Sequence, residues 1–346
     1  MRSLLRPAAG LTCLFALATT GCSAGSGDMS DAAPAAPKQT SAAPSPSASE
    51  SAASSTAYEP YVSAGEASGN DSAGSPRTYN LAFVISDGSS CTPKWNGTEA
   101  IGDSAVKSRV SKLAESGAEV RVSFGGASGK ELASVCHSAS ELADAYGAAL
   151  DAAGATRADF DIEGTQLTDA ASVALRCEAI ASLQKDRPGL EVSFTLPVMP
   201  NGLDSDGLAL LDSANEYDVQ VSVVNIMTMN YGESYAADMG DYALTSAKAT
   251  HAQLKDVFGL SDAAAWRGMA LTSMIGVNDV DNETFSLSDA AEVRTFAEEK
   301  EIAWVSLWST FRDQQCEDGQ ASQDDAATNC SGVKQSSGAF AQAFSG

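Results

Sequence analysis

From about residue 80 the chain alternates short strand-like runs with amphipathic stretches of helical period. NLAFVIS (80–86), EVRVSFGG (119–126), ADFDIEG (158–164), LEVSFTLP (190–197), VQVSVVNIMTMNY (219–231), GMALTSMIG (268–276) and AWVSLWS (303–309) read as strands. After the first of them Asp103 caps a helix with Val106, Val110 and Leu113 on one face, and Gly117 ends it. Ser138 and Glu141 form a capping-box pattern before a helix carrying Leu142, Tyr146 and Ala149. A further helix is expected from about Thr168 to Asp186. A weak eighth strand falls near Trp95, between the first two.

Repeated strand–helix alternation predicts an α/β protein with a parallel sheet, and at this length a (β/α)8 TIM barrel. An open doubly wound sheet is the competing arrangement, but no Gly-x-Gly-x-x-Gly turn follows the first strand. Between Gly276 and Ala303 there are too few residues for a large insertion domain. Period two supplies a second test. Leu190, Val192, Phe194 and Leu196 are apolar, whereas Glu191, Ser193 and Thr195 between them are polar. Val305 and Leu307 likewise face away from Trp304, Ser306 and Trp308. The apolar side suits helices, and the polar side suits a barrel interior that opens at the C-terminal ends of the strands.

The ends are different in kind. Arg2 and Arg6 precede the short apolar run LTCLFALA, and TTGC ends at Cys22, so residues 1–22 read as a secretory signal. TGC resembles a bacterial lipobox with Cys22 as the lipidated residue, although Thr19 stands where an aliphatic residue is usual; plain secretion after cleavage near Ala18 is the alternative. Residues 23–77 are nearly all Ala, Ser, Pro and Gly and are expected to be a disordered tether. The folded domain is then expected over 78–346, exported and either extracellular or lipid-anchored to the outer face of the cell membrane.

A net charge of −24 argues against a nucleic-acid partner, and no second apolar run is long enough to span a membrane. Cys316 and Cys330 bracket a polar loop and are a natural disulfide pair. Cys91 and Cys136 follow strands and make a plausible second, while Cys177 sits at helical spacing as a buried thiol. No cysteine has zinc-type spacing and the only histidines are His137 and His251, so neither a metal nor a cofactor is expected.

In ADFDIEG the acids Asp159, Asp161 and Glu163 recur at every second position, opposite Phe160 and Ile162. A calcium loop would need Glu at the twelfth position, where Ala170 stands, and would not place Phe and Ile between its ligands. A solvated acidic edge strand is a second reading. The third is catalysis: crowded carboxylates inside a barrel cannot all ionise freely, so one can keep its proton near neutrality.

Four motifs together resemble glycoside hydrolase family 18 chitinases: DFDIE (159–163), SFGG (123–126), MNY (229–231) and the last-strand Trp308, in the order that family has them. CTPKWNG, MIGVND and LWSTFRD further resemble its single-domain bacterial members. The resemblance implies a retaining, substrate-assisted hydrolase of β-1,4-linked N-acetylglucosamine polymers, expected as a monomer. Glu163 would be the acid, Asp161 would orient the substrate acetamido group, Asp159 would share a proton with Asp161, and Tyr231 would bind the acetamido carbonyl. Trp308 would floor the sugar site or else merely fill the barrel, with Met229, Ser123, Gly125 and Gly126 as substrate-site residues. Trp95 and Trp266 are further candidate platforms or structural residues. Thr156 and Arg157 replace the first Asp and Gly of the family pattern, and Gly232 follows Tyr231 where many members have Asp. An endo-β-N-acetylglucosaminidase acting on N-glycans and a non-catalytic chitin-binding protein are the alternatives.

Overall fold

In the computed structural model, which describes residues 56–317 and 329–346, each of the seven expected strand segments is a strand. In chain order the strands are β1 (Ala57–Tyr58), β2 (Tyr61–Ser63), β3 (Thr78–Ser86), β4 (Pro93–Trp95), β5 (Glu99–Ala100), β6 (Glu119–Gly125) and β7 (Arg157–Asp161). They continue as β8 (Glu191–Pro197), β9 (Val221–Met227), β10 (Met269–Met274), β11 (Gly276–Val277), β12 (Thr284–Phe285) and β13 (Trp304–Trp308). The helices are α1 (Ser104–Ala114), α2 (Ala139–Ala153), α3 (Thr165–Thr168), α4 (Ala170–Asp186) and α5 (Ser205–Glu216). After them come α6 (Met239–Phe258), α7 (Asp262–Arg267), α8 (Leu287–Lys300) and α9 (Ala339–Ser345).

Helix starts follow the caps in the sequence. The Asp103 carboxylate accepts from Ala105 and Val106 N–H, and the Ser138 hydroxyl accepts from Glu141 N–H. The reciprocal half of the Ser138 box goes one residue further out, with His137 N–H donating to Glu141.

β3, β6, β7, β8, β9, β10 and β13 pair in that order, all parallel. β1 pairs in parallel with β13, Ala57 opposite Trp304, and β2 pairs in parallel with β3, Tyr61 opposite Asn80. Between them Glu59 N–H donates to Val305 and Asn80 N–H donates to Pro60. One short run, 57–63, thus joins the last strand to β3.

This corrects the expected domain boundary. Residues 56–77 belong to the folded domain, with Tyr58, Tyr61 and Val62 buried, whereas 23–55 and the signal lie outside the described residues. The run was hidden because Pro60 breaks it and Ala- and Ser-rich sequence surrounds it. The weak strand near Trp95 is instead a hairpin arm: β4 pairs antiparallel with β3 and with β5. Trp95 is 1% exposed and donates to Ile101 O, so it packs and is no sugar platform. Trp266 is likewise buried, stacked on His251 at 3.9 Å.

Alternation sorts the strands as expected. Phe124, Phe160 and Phe194 form a ladder on the helix side, at 5.2 and 5.9 Å, with Tyr146 of α2 against the first two. The opposite face carries Arg121, Ser123, Asp159, Ser193, Thr195, Asn225 and Thr272, all buried. Near the N-terminal ends of the strands, Arg121 bonds Glu59 at 2.6 Å and Asn80 at 2.7 Å and lies 4.1 Å over the Trp304 ring. Cys91–Cys136 and Cys316–Cys330 are disulfides, and Cys177 is buried and unpaired. Between β10 and α8 there is only the β11–β12 hairpin.

Candidate active site

β7 brings its acids to the polar face of the sheet, at 1% exposure for Asp159 and 5% for Asp161. Four hydroxyls converge on Asp159. Tyr61 (3.0 Å) and Ser123 (2.8 Å) donate to Oδ2, and Ser193 and Thr195 donate to Oδ1, each at 2.8 Å. Thr195 in turn accepts from Asn225 Nδ2 at 3.0 Å, and Asn225 Oδ1 accepts from Thr272 at 2.9 Å. The donors therefore point one way, across β10, β9 and β8 toward β7. A carboxylate has about four acceptor positions, and here all are taken by hydroxyl donors. Among the described residues no group of three or more His, Cys, Asp or Glu could hold a metal.

Asp161 differs. It is hydrogen-bonded to Glu163, and its buried Oδ1 has no partner. Burial, then the charge of Glu163, then that of Asp159 raise its pKa well above the usual carboxylate range. Glu163 stands two residues past the strand end, before the turn at Gly164 (φ 51°) that opens α3. Burial raises its pKa too; the Asp161 hydrogen bond opposes this and the charge of Asp279 adds to it. One proton shared by the two carboxyls is the physical consequence, since two close anions under burial would repel.

A cleft of about 340 Å³ opens above them. Trp308, Tyr61 and Phe83 form one wall; Trp308 stacks on Phe83 at 5.5 Å and meets Tyr61 edge-on at 5.7 Å. Met227, Met229, Asn230 and Asp279 form another, and Pro197, Val198, Met199 and Asp204 a third.

Of the expected site residues, Glu163, Asp161, Trp308 and Met229 meet in this cleft. Ser123 lies beneath it on Asp159. Gly125 and Gly126 do not line it but set its geometry. A Cβ on Gly125 (φ 96°) would stand 2.1 Å from the Asp161 carbonyl oxygen, and one on Gly126 2.8 Å from the Phe83 ring. Tyr231 is not brought in. Strand β9 ends at Met227 and Asn230 turns the chain at φ 54°, so the alternation that was expected to carry Tyr231 inward is broken. Its hydroxyl accepts from Ser246 of α6, among the Tyr235 and Tyr242 rings. Arg157 sits at the opposite end of β7, paired with Glu119 and Glu191. Sequence reasoning missed Tyr61, Asn225 and Asp279. Asn225, polar in an apolar strand, carried a signal, and Asp279 ends the MIGVND run that the resemblance included without assigning it a role.

In sequence and in fold the chain is similar to chitinases. The chain is 34% identical over 249 residues to the probable bifunctional chitinase/lysozyme of Escherichia coli (strain K12), a match covering 68% of this chain and 28% of that one. It is 32% identical over 249 residues to endochitinase 11 of Metarhizium anisopliae, covering 68% and 47%. The chain thus spans less than half the length of either curated relative. Among solved structures, catalytic-site mutants of active domain 2 of the thermostable chitinase from Pyrococcus furiosus, complexed with chito-oligosaccharides, superpose with a TM-score of 0.73. That match has 29% identity and covers 84% of this chain and 93% of the other. No family model matches the chain.

Proposed function

We propose that this chain is a family 18 chitinase-type hydrolase that cleaves β-1,4-linked N-acetylglucosamine chains, built on a closed (β/α)8 barrel. The observation that carries the reading is the hydrogen-bonded pair of buried Asp161 and half-buried Glu163 at the end of a parallel strand, beneath a cleft walled by Trp308. The similarity to chitinases, one of them complexed with chito-oligosaccharides, supports the substrate class. Support for closure comes from the pairing of 57–63 with both β13 and β3. Tyr61 supports it too, reaching Asp159 and Thr195 on strands that are not its neighbours in the sheet.

The proton that Glu163 shares with Asp161 passes through Glu163 to the glycosidic oxygen as the bond to the anomeric carbon breaks, which leaves Asp161 ionised. The substrate's own acetamido carbonyl oxygen attacks that carbon, in place of a second enzymic carboxylate. Asp161 accepts the acetamido N–H at its otherwise unpartnered Oδ1, and its negative charge stabilises the cationic ring that forms. Water, deprotonated by Glu163, then opens the ring with retention. Trp308 offers its face to a sugar ring.

Incubation of the folded domain with chitotetraose and chromatography of the products tests the reading: shorter N-acetylglucosamine oligomers are expected. Binding without cleavage would leave a chitin-binding protein instead, and neither binding nor cleavage would overturn the substrate class. We further propose export and anchoring through Cys22, with the Ala- and Ser-rich stretch up to residue 55 as spacer. Cys22→Ala should move the protein from the membrane fraction to the soluble one; unchanged retention would exclude the anchor.

A further inference from the structure

We propose that Asp279 is a positioning residue for Glu163, presented to it by a loop-to-loop lock between the chain after β9 and the β11–β12 hairpin. The proposal rests on the reading of Glu163 as the general acid and adds a determinant that the acidic strand does not contain.

The lock consists of four bonds between two loops. Asp279 N–H donates to Asn230 Oδ1 at 3.1 Å, and Asn230 Nδ2 donates back to Asp279 Oδ2 at 3.4 Å. Asn230 N–H donates to Asn278 Oδ1 at 3.4 Å, and Gly232 N–H donates to Glu283 Oε1 at 2.7 Å. Asn278 is itself tied by Nδ2 to the carbonyls of Met274 and Gly276, so the hairpin tip is referred back to the end of β10. Asn230 takes a left-handed conformation, which asparagine tolerates better than most residues. Two loops that could each move alone are made one piece, with the Asp279 carboxylate on the cleft wall.

What it faces there is specific. The charged or titratable groups on the cleft wall are Asp161 and Glu163 from β7 and the turn after it, Tyr61 from β2, Asp204 ahead of α5, and Asp279. Asp159 lies beneath Asp161. Arg312, beyond β13, binds the carbonyls of Ile275 and Val277 from behind the hairpin and feels the Asp279 charge. No Lys, Arg or His lines the cleft among the described residues. Of the carboxylates on its walls, Asp161 is hydrogen-bonded to Glu163, and Asp279 is the other whose charge reaches it. A negative charge near a carboxylic acid favours the protonated form, so Asp279 keeps Glu163 protonated to higher pH. Asp279 is exposed to solvent, so screening holds the effect to a modest size.

Asp279→Asn keeps the turn and one amide-to-amide bond but removes the charge. The basic limb of the kcat/KM profile on chitotetraose should move to lower pH, with activity above the limb midpoint falling by about threefold to tenfold, a shift of half to one pKa unit. The acidic limb should stay in place. Asp279→Glu should restore the limb, and Asn230→Ala, which unties the carboxylate without removing it, should shift it part way. A uniform loss at all pH values, or a limb that does not move, would overturn the proposal. ¹³C-NMR titration of the Glu163 carboxyl in the wild type and in Asp279→Asn reads the same coupling without substrate. If the wild type cleaves nothing the function reading falls, and that titration still decides whether Asp279 acts on Glu163.

Discussion

Glu163→Gln is expected to lower kcat on chitotetraose by about 10²–10⁴-fold, the span typical of removing a general acid. Glutamine has nearly the shape of glutamic acid and can still hydrogen-bond Asp161, but it has no proton of suitable acidity to give. The leaving group of chitotetraose is a sugar alkoxide, which departs poorly unless protonated. An aryl chitobioside with a nitrophenolate leaving group needs much less of that help. Bond cleavage in the variant should therefore suffer far less on the aryl substrate than on the oligosaccharide. A loss of equal size on both would make Glu163 a positioning residue only, and full activity on chitotetraose would remove it from the mechanism. Binding should persist, because Trp308, Met229 and Asp161 remain in the cleft, so calorimetry with chitotetraose should still detect the complex.

That experiment addresses a residue visible in the sequence, and the reason it was visible is instructive. Asp159, Asp161 and Glu163 belong to one strand and the turn after it, so period two alone says that they share a side. Trp308 was legible in the same way on β13. Tyr231 fails because alternation is a property of paired strands, and β9 ends four residues before it. A left-handed residue between them rotates the chain, and nothing in MNY announces that. Asp279 ends the MIGVND run, yet its role was not legible there, for the complementary reason. Its place in the cleft depends on a turn held by Asn230, 49 positions earlier, and such long-range bonds have no periodicity.

Tyr61 shows the same limit at the level of the fold. Its side chain does as much for Asp159 as Ser123 does, yet its strand lies in a stretch whose composition resembles a tether. Local pattern reveals a strand long enough to alternate several times. It does not reveal one of two plus three residues split by a proline. The burial that makes this run a strand is supplied by β3 and β13, far along the chain.

A chain beginning at Thr78 is accordingly expected not to fold, whereas one beginning at Ala52 should fold and melt as the full-length protein does. Losing residues 56–77 removes the buried side chains of Tyr58, Tyr61 and Val62, each contributing about 1.5–3 kcal/mol. It also strips two buried arginines of their carboxylate partners: Arg121 loses Glu59 at 2.6 Å, and Arg109 loses Asp71 at 2.8 Å. Leaving one member of a buried ion pair alone costs about 3–5 kcal/mol. Those losses by themselves reach the roughly 5–15 kcal/mol by which a domain is stable. The facing edges of β3 and β13 would lose their ladder partners as well, exposing unpaired N–H and C=O groups that favour aggregation. Thermal denaturation followed by circular dichroism on both truncations decides the matter. A cooperative transition in the Thr78 chain, at the temperature of the longer one, would show that run 57–63 is dispensable. It would also weaken the closed-barrel reading, since β13 and β3 would then be joined by nothing that stability requires.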